Sequence, residues 1–231
     1  MSSSASVNKL FGLSLLSTAY FPPVEYFAVI ANSREVLVEK CETFQKQSYR
    51  TRCHIYGANG LLNLTIPVLR GDAQDGSHTH KLLIDSVRID YSKPWVVQHK
   101  RAIEAAYMTT PFFEYYKDDL FAVLDSEPET LFELNSRLLD LLCELIGLST
   151  PIRFTREWYS VNGQDGSTGA EPVDFRNRIH PKSKEENLLQ QMKIEKPYYQ
   201  VFSNKQGFKS NLSVLDLLCN EGPNSISFLK A

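Results

Sequence analysis

The sequence predicts a single mixed α/β domain, in which helices pack against a central mixed sheet that includes a β-hairpin. Three observations lead to this fold class. With 231 residues, of which 42% are hydrophobic and 23% charged, the chain can bury a substantial core. Asn59-Gly60 encodes a hairpin turn, and short apolar segments occur together with segments of helical periodicity along the rest of the chain.

The composition also limits the function classes. A formal net charge of -2 argues against a protein that binds nucleic acid through a broad positive field. No apolar run is long enough to span a bilayer. The four cysteines have neither metal-knuckle nor redox-pair spacing, which favours a reducing cytoplasm. A glycine-rich phosphate loop and a Gly-x-Ser-x-Gly elbow are absent from the sequence, and no cofactor is predicted.

The N-terminal part predicts a tail, a strand, a helix and a second strand. Residues 1–10 are mostly small and polar, so we expect a disordered tail before a domain that covers residues 11–231. The apolar residues 13–19 predict a buried strand. Helical spacing of apolar residues predicts a helix over 24–31, and residues 36–38 predict a short strand.

Residues 50–68 specify the hairpin. Asn-Gly supports the positive φ angles of a type I′ turn, which would pair Ala58 with Leu61 and Tyr56 with Asn63. Side-chain alternation then gives the hairpin one apolar face and one polar face. The polar face collects Arg50, Arg52, His54, Tyr56, Asn63 and Thr65.

This polar face has two interpretations. Its donors could bind a carboxylate or phosphate, because arginine can hold such an anion through two parallel hydrogen bonds. Alternatively, it is a solvated sheet face whose arginines pair with acids such as Glu39 or Asp85. The functional interpretation requires Arg52 and His54 to project from one side of the hairpin into a concave pocket, close to a second source of arginine.

The segment after the hairpin offers a weak metal signal. Residues 70–79 predict a surface loop, and residues 82–90 predict a return strand. His78 and His80 form a His-x-His pair, which can hold a metal on an extended segment. A third ligand at a suitable spacing is missing, so no metal site is predicted.

Two longer helices are predicted in the middle of the chain. In a helix over 95–109, His99 shares a face with apolar neighbours, which fits either a hydrogen-bonded core histidine or a functional one. Ser126 and Glu129 have capping-box spacing ahead of a leucine-rich helix, and Gly147 is expected to end that helix.

The C-terminal third contains a long polar loop at 160–197 between predicted strands at 151–158 and 198–203. Loops of this length are usually mobile functional segments or disorder. Arg176 and Arg178 in this loop could close over an anionic ligand; alternatively, they are solvated. Farther on, Ser213 and Asp216 have the spacing of a helix cap rather than of a nucleophile and its acid.

Several motifs resemble one known family. They are the run from Leu15 to Pro23 with Tyr26-Phe27, Gln45-Lys46, Arg50-x-Arg52-Cys53, Leu64 to Val68, Trp95 to His99 with Tyr107, Tyr199 to Phe202, Gly207-Phe208, and Asn211 to Gly222. In combination they resemble the WbqC-like family of bacterial proteins over most of the chain. The first motif departs from the commoner family pattern, because Ser17-Thr18-Ala19 stands where that pattern has His-Gln-Pro.

The resemblance implies a cytoplasmic step of surface-polysaccharide assembly that acts on a sugar nucleotide or an acyl or aminoacyl donor. One hypothesis is an enzyme of O-antigen-like precursor biosynthesis, such as an acyl or aminoacyl transferase acting on an amino sugar, with His99 and His54 moving protons. The predicted substrate-binding residues are Tyr20, Tyr26, Arg50, Arg52, Asn63, Thr65, Tyr107, Arg176 and Arg178. The alternative hypothesis is a non-catalytic protein that binds a carbohydrate or a partner through its tyrosines and phenylalanines.

Overall fold

The computed structural model describes residues 9–69, 82–160 and 171–231. Its strands are β1 (Phe11–Ser17), β2 (Ser33–Glu39), β3 (Arg52–Gly57), β4 (Gly60–Thr65), β5 (Ile152–Phe154) and β6 (Val173–Asp174). Four of them form a parallel sheet in the order β5-β2-β1-β6, and β3 pairs with β4 in a separate antiparallel sheet. The mixed α/β fold class is confirmed, but the hairpin is not part of the central sheet.

The helices surround these two sheets. They are α1 (Val24–Asn32), α2 (Trp95–Tyr107), α3 (Phe113–Asp125), α4 (Leu131–Ile146), α5 (Leu188–Gln191), α6 (Ser203–Gln206) and α7 (Val214–Glu221). Two 3-10 segments, Ile84–Ser86 and Gly222–Phe228, complete the described elements. Among the described helices, none has the length and apolar character needed to cross a bilayer.

Helix α1 lies at the centre of the core. It connects the parallel strands β1 and β2, contacts both of them and also contacts α5 and α7. All nine of its residues are buried. Because packing on every side holds α1 in place, the position of its first turn is fixed. That turn contains Glu25.

The hairpin has the predicted faces and a shifted register. Gly57 pairs with Gly60, and His54 pairs with Asn63, so the loop consists of Ala58 and Asn59. Gly60 carries the positive φ, 108°, immediately after the loop instead of within it. The predicted pairing of Ala58 with Leu61 is therefore wrong, but the shift is an even one and leaves each side chain on its predicted face.

The long helices follow the predicted apolar pattern more closely than the predicted caps. His99 lies on the buried side of α2, as predicted, together with Trp95, Ile103, Ala106 and Tyr107. The cap of α4 is Thr130, whose hydroxyl accepts a hydrogen bond from the Glu133 backbone N–H, so the box predicted at Ser126 is wrong. Gly147 ends α4 with a φ of 78°, as predicted.

Two predicted strands do not form. Residues 82–90 contain the short 3-10 segment Ile84–Ser86 and isolated bridges, and residues 198–203 lead into α6 without strand pairing. The polar loop predicted at 160–197 contains β6 and α5 in its described part. In this region the backbone is held by side-chain hydrogen bonds that periodicity does not reveal. Gln200, for example, accepts a hydrogen bond from Lys209 N and donates one to Lys209 O.

Candidate functional site

The carboxyl ends of the parallel strands carry a buried ion network. Beyond β1, Arg50 Nε donates to Glu42 Oε1 over 2.8 Å, and its Nη2 donates to Ser17 Oγ over 2.7 Å. Arg50 and Glu42 are both buried. Arg50 therefore does not lie on the polar face of the hairpin; its guanidinium is already bound by an internal carboxylate.

Arg176 is held in the same way. Its Nη1 lies 3.0 Å from Glu39 Oε2, and its Nη2 lies 2.7 Å from Asp174 Oδ2. The centre of the Trp158 ring lies 4.2 Å from the Arg176 guanidinium carbon. The carboxyl edge of an open parallel sheet is a common ligand position. Here, however, the cavity beside Arg50 and Arg176 has only about 10 Å³, which leaves room for roughly one water.

A much larger cleft opens beside the hairpin. It has a volume of about 580 Å³, which is within the range of small-molecule sites. One wall is the hairpin tip with His54, a second wall comes from residues between 178 and 188, and a third from residues between 206 and 212. Glu25 and Tyr49 also line it.

Two side chains in this cleft have polar groups that the fold leaves free, and a third is only partly bound. The His54 imidazole and the Tyr49 hydroxyl make no hydrogen bond within the described part of the chain, and their rings lie 5.4 Å apart. One carboxylate oxygen of Glu25, Oε2, accepts a hydrogen bond from Leu188 N over 2.9 Å. These groups face the open space of the cleft, where a ligand could form hydrogen bonds with them.

Burial and nearby charge set the protonation of this site. Partial burial lowers the pKa of His54 below its usual value, and the positive charge of Arg52 lowers it further. His180, which also lines the cleft, has its pKa lowered by burial and by the charges of nearby basic groups, including Arg50, Lys182 and Arg52. Both imidazoles are therefore neutral near pH 7 and can accept a proton. Burial raises the pKa of Glu25.

Cationic groups also reach the cleft. Arg178 and Lys209 both line it. Arg178 donates a hydrogen bond to Gln191 Oε1 and lies 5.6 Å from the Phe175 ring centre. Lys209 is fixed through its backbone, since Gln200 binds both its N–H and its carbonyl oxygen. The cleft thus combines proton acceptors with two cations.

Of the residues predicted from the sequence, the structure brings together His54 and Arg178. Arg52 lies on the same hairpin face as His54 but does not line the cleft; it is half-buried, and its Nε is buried without a partner among the described residues. Asn63 and Thr65 are exposed on the adjacent strand and do not line the cleft.

The other predicted residues lie in the core. His99 Nδ1 lies 2.9 Å from the Tyr20 hydroxyl, and burial lowers the pKa of His99 to about 4. The Tyr26 hydroxyl donates to the Ser17 carbonyl oxygen over 2.9 Å, and Tyr107 is also buried. These contacts give His99 the position of a hydrogen-bonded core histidine.

Metal binding has no support in the described ranges, which contain no group of three or more His, Cys, Asp or Glu side chains placed to hold an ion. His78 and His80 lie outside those ranges. The four cysteines are free thiols, with three of them buried.

Sequence reasoning missed Glu25 and Tyr49. An acid in the first turn of a helix is ordinarily explained by the helix dipole, so Glu25 carried no special signal. Tyr49 lies in a segment without periodicity. Only the fold shows that these two residues face the same space as His54.

Comparison with known proteins assigns a family. The model of the WbqC-like protein family matches residues 18–180, which include Glu25, Tyr49, His54 and Arg178. The chain is also 24% identical over 231 residues to the uncharacterized protein Rv1507c of Mycobacterium tuberculosis, an alignment that covers 94% of this chain and 97% of that protein. No solved structure matches it significantly. The family model covers more than half of the sequence, and the chain therefore belongs to the WbqC-like protein family.

Proposed function

We propose that this protein is a bacterial enzyme of surface-polysaccharide precursor biosynthesis, of the O-antigen type, and that it transfers an acyl or aminoacyl group to an amino sugar. The reaction takes place in the cytoplasm, in the cleft beside the hairpin. The observation that carries the proposal is the convergence of a free neutral histidine, His54, with Arg178 and Lys209 around one cleft. The resemblance of the motifs to proteins of polysaccharide assembly supports the substrate class.

The cleft residues have roles that match this chemistry. The nitrogen of the acceptor amine attacks the donor carbonyl, a new N–C bond forms, and His54 accepts the proton that the amine loses. The bond between the acyl carbon and the leaving group breaks, and the leaving group departs with the electron pair. Arg178 and Lys209 bind the phosphate groups of a sugar nucleotide or a phosphorylated donor.

Binding and activity are tested on the purified protein. A thermal-shift screen compares a nucleotide sugar, an acyl-coenzyme A and neutral sugars. A stabilising donor is then incubated with an amino sugar, and the product is detected by mass spectrometry. We expect a phosphorylated donor to raise the Tm and a product to form.

Two variants and one control sharpen this test. His54→Gln should lower the transfer rate about 100- to 10,000-fold with an unchanged Tm, the range for a lost general base. Arg178→Met should raise KM for the phosphorylated donor about tenfold. Arg101→Met is the matched control, because Arg101 is exposed on α2 and does not line the cleft. Full activity of His54→Gln would contradict the proposal.

A second candidate function, a non-catalytic carbohydrate-binding protein, is favoured by a different property of the cleft. Much of its lining consists of amides and hydroxyls, namely Asn59, Asn187, Asn211, Gln206, Ser183 and Ser210, and Tyr49 and Phe208 add aromatic surface. Such groups suit sugar hydroxyls and apolar sugar faces. Stabilisation by neutral sugars alone, without product formation, would select this function.

A further inference from the structure

Glu25 is a buried carboxylate that forms no ion pair within the described residues; burial raises its pKa, and the positive charge of Arg178 in the same cleft offsets only part of that effect. Glu25 is only 5% exposed. Leu188 N donates to Oε2, and the Glu25 backbone N–H is bound by Asn211 Oδ1, which fixes the residue. Within the ranges that the structure describes, no Lys, Arg or His forms an ion pair with it. A buried carboxylate that has no ion pair is costly to the fold, so a cationic ligand that pairs with it gains more binding free energy than it would from an exposed carboxylate.

Other buried acids in the described chain differ from Glu25. Glu39 is ion-paired with Arg176, and Glu42 is ion-paired with Arg50. Asp216 lies away from the large cleft and accepts hydrogen bonds from Tyr198 and Gln200. Glu25 combines burial, the lack of an ion pair and access to a space large enough for a small molecule.

Tyr49 supplies a second, independent indication of a ligand at this position. It is only 8% exposed, it lines the same cleft, and its hydroxyl makes no hydrogen bond within the described residues, so the hydroxyl is open to a ligand in the cleft. Burial and the nearby negative charge of Glu25 raise the pKa of Tyr49, so the hydroxyl stays protonated and keeps an oxygen lone pair for a donor. A protonated amine has three donors and can bind the carboxylate and the phenol oxygen together.

The net charge of the cleft lining also agrees with a cationic ligand. Three carboxylates line it, those of Glu25, Glu185 and Glu186, against the two permanent cations Arg178 and Lys209. Since His54 and His180 are neutral near pH 7, the side chains that line the cleft carry a net charge of one negative unit, from three carboxylates and two cations. An ammonium group would neutralise it.

We infer that Glu25, with Tyr49, binds the protonated amine of the ligand that enters the cleft, so that the ligand is an amino sugar with a free amine. This inference rests on the proposed function and names the residue that selects the acceptor. The seated ammonium gives its first proton to the Glu25 carboxylate, which frees the nitrogen lone pair for attack, and His54 accepts the second proton when the N–C bond forms.

Three related sugars test the inference. D-glucosamine, N-acetyl-D-glucosamine and D-glucose share a ring and differ in whether they carry a cationic amine. Isothermal titration or NMR titration should show that glucosamine binds more tightly than the other two. Glu25→Gln should weaken glucosamine binding about 10- to 100-fold, the range for a lost charged hydrogen bond, and leave the weak binding of glucose unchanged.

Glu221→Gln, outside the cleft at the end of α7, serves as the control and should bind glucosamine like the wild type. The glutamine at position 25 keeps an acceptor for Leu188 N, so an unchanged Tm is expected. Equal binding of the three sugars, no binding of glucosamine, or undiminished binding by Glu25→Gln overturns the inference.

The two proposals fail separately. If glucosamine binding depends on Glu25 and no donor yields a product, the transferase function is wrong and the amine site stands. If a product forms and Glu25→Gln leaves glucosamine binding intact, the transferase function stands and the amine site is wrong.

Discussion

Replacing Arg50 tests whether this arginine stabilises the fold rather than binds a ligand. Arg50→Met removes a guanidinium whose side chain is 3% exposed and leaves the Glu42 carboxylate, 4% exposed, with the Ser17 hydroxyl as its remaining side-chain donor. Breaking a buried ion pair from one side costs about 3–5 kcal/mol. For a chain of this length, each kcal/mol lowers the Tm by about 2–4 °C, so we expect a drop of roughly 6–20 °C.

Urea unfolding monitored by circular dichroism measures this change. Arg88→Met is the matched control, because its pair with Glu129 is 63% and 67% exposed and should contribute at most about 1 kcal/mol. The double variant Glu42→Gln/Arg50→Met should be more stable than Arg50→Met, since no unpaired charge remains buried. A loss below about 1 kcal/mol in Arg50→Met would refute the reasoning.

Two further predictions concern the core. Because burial lowers the pKa of His99 from 6.5 to about 4, the unfolded chain takes up a proton at a higher pH than the folded one. The free energy of unfolding should therefore fall as the pH is lowered from 6.5 to about 4. His99 should account for about 2 kcal/mol of this loss between pH 7 and pH 5. In urea titrations at several pH values, His99→Phe should make the free energy of unfolding depend less on pH. Gly222→Ala should lower stability by about 1–3 kcal/mol, because Gly222 has a φ of 54° and a Cβ would lie 2.5 Å from the Phe112 ring. Gly12→Ala, with open space around it, should be close to neutral, and equal stability of the two variants would contradict this account.

Local patterns in the sequence predict much of the secondary structure. Alternation of side chains fixes the two faces of the hairpin even though the register is shifted, because an even shift preserves the faces. The cap of α4 illustrates the limit of local signals. Ser126 and Thr130 are each followed three residues later by a glutamate, and the choice of Thr130 depends on packing that the pattern does not contain.

The functional residues depend on contacts between distant segments. Alternation extended back from Arg52 placed Arg50 on the hairpin face, but the chain turns at 48–51, and the Arg50 side chain binds Glu42 instead. Arg176 and Arg178 are two residues apart in the same loop, and the sequence does not distinguish them. The structure shows that Arg176 is bound by Glu39 and Asp174, whereas Arg178 lines the cleft. Glu25 becomes a candidate ligand-binding residue only once the structure shows that it is buried, lines the cleft and forms no ion pair within the described residues.

A crystal structure of the protein with the phosphorylated donor that stabilises it most, soaked with glucosamine, would test the central claim most directly. The account predicts the phosphate against Arg178 and Lys209, and the amine within hydrogen-bond distance of Glu25 and near His54. A donor bound at the carboxyl ends of the parallel strands, with Arg50 or Arg176 released from its carboxylate, would contradict it.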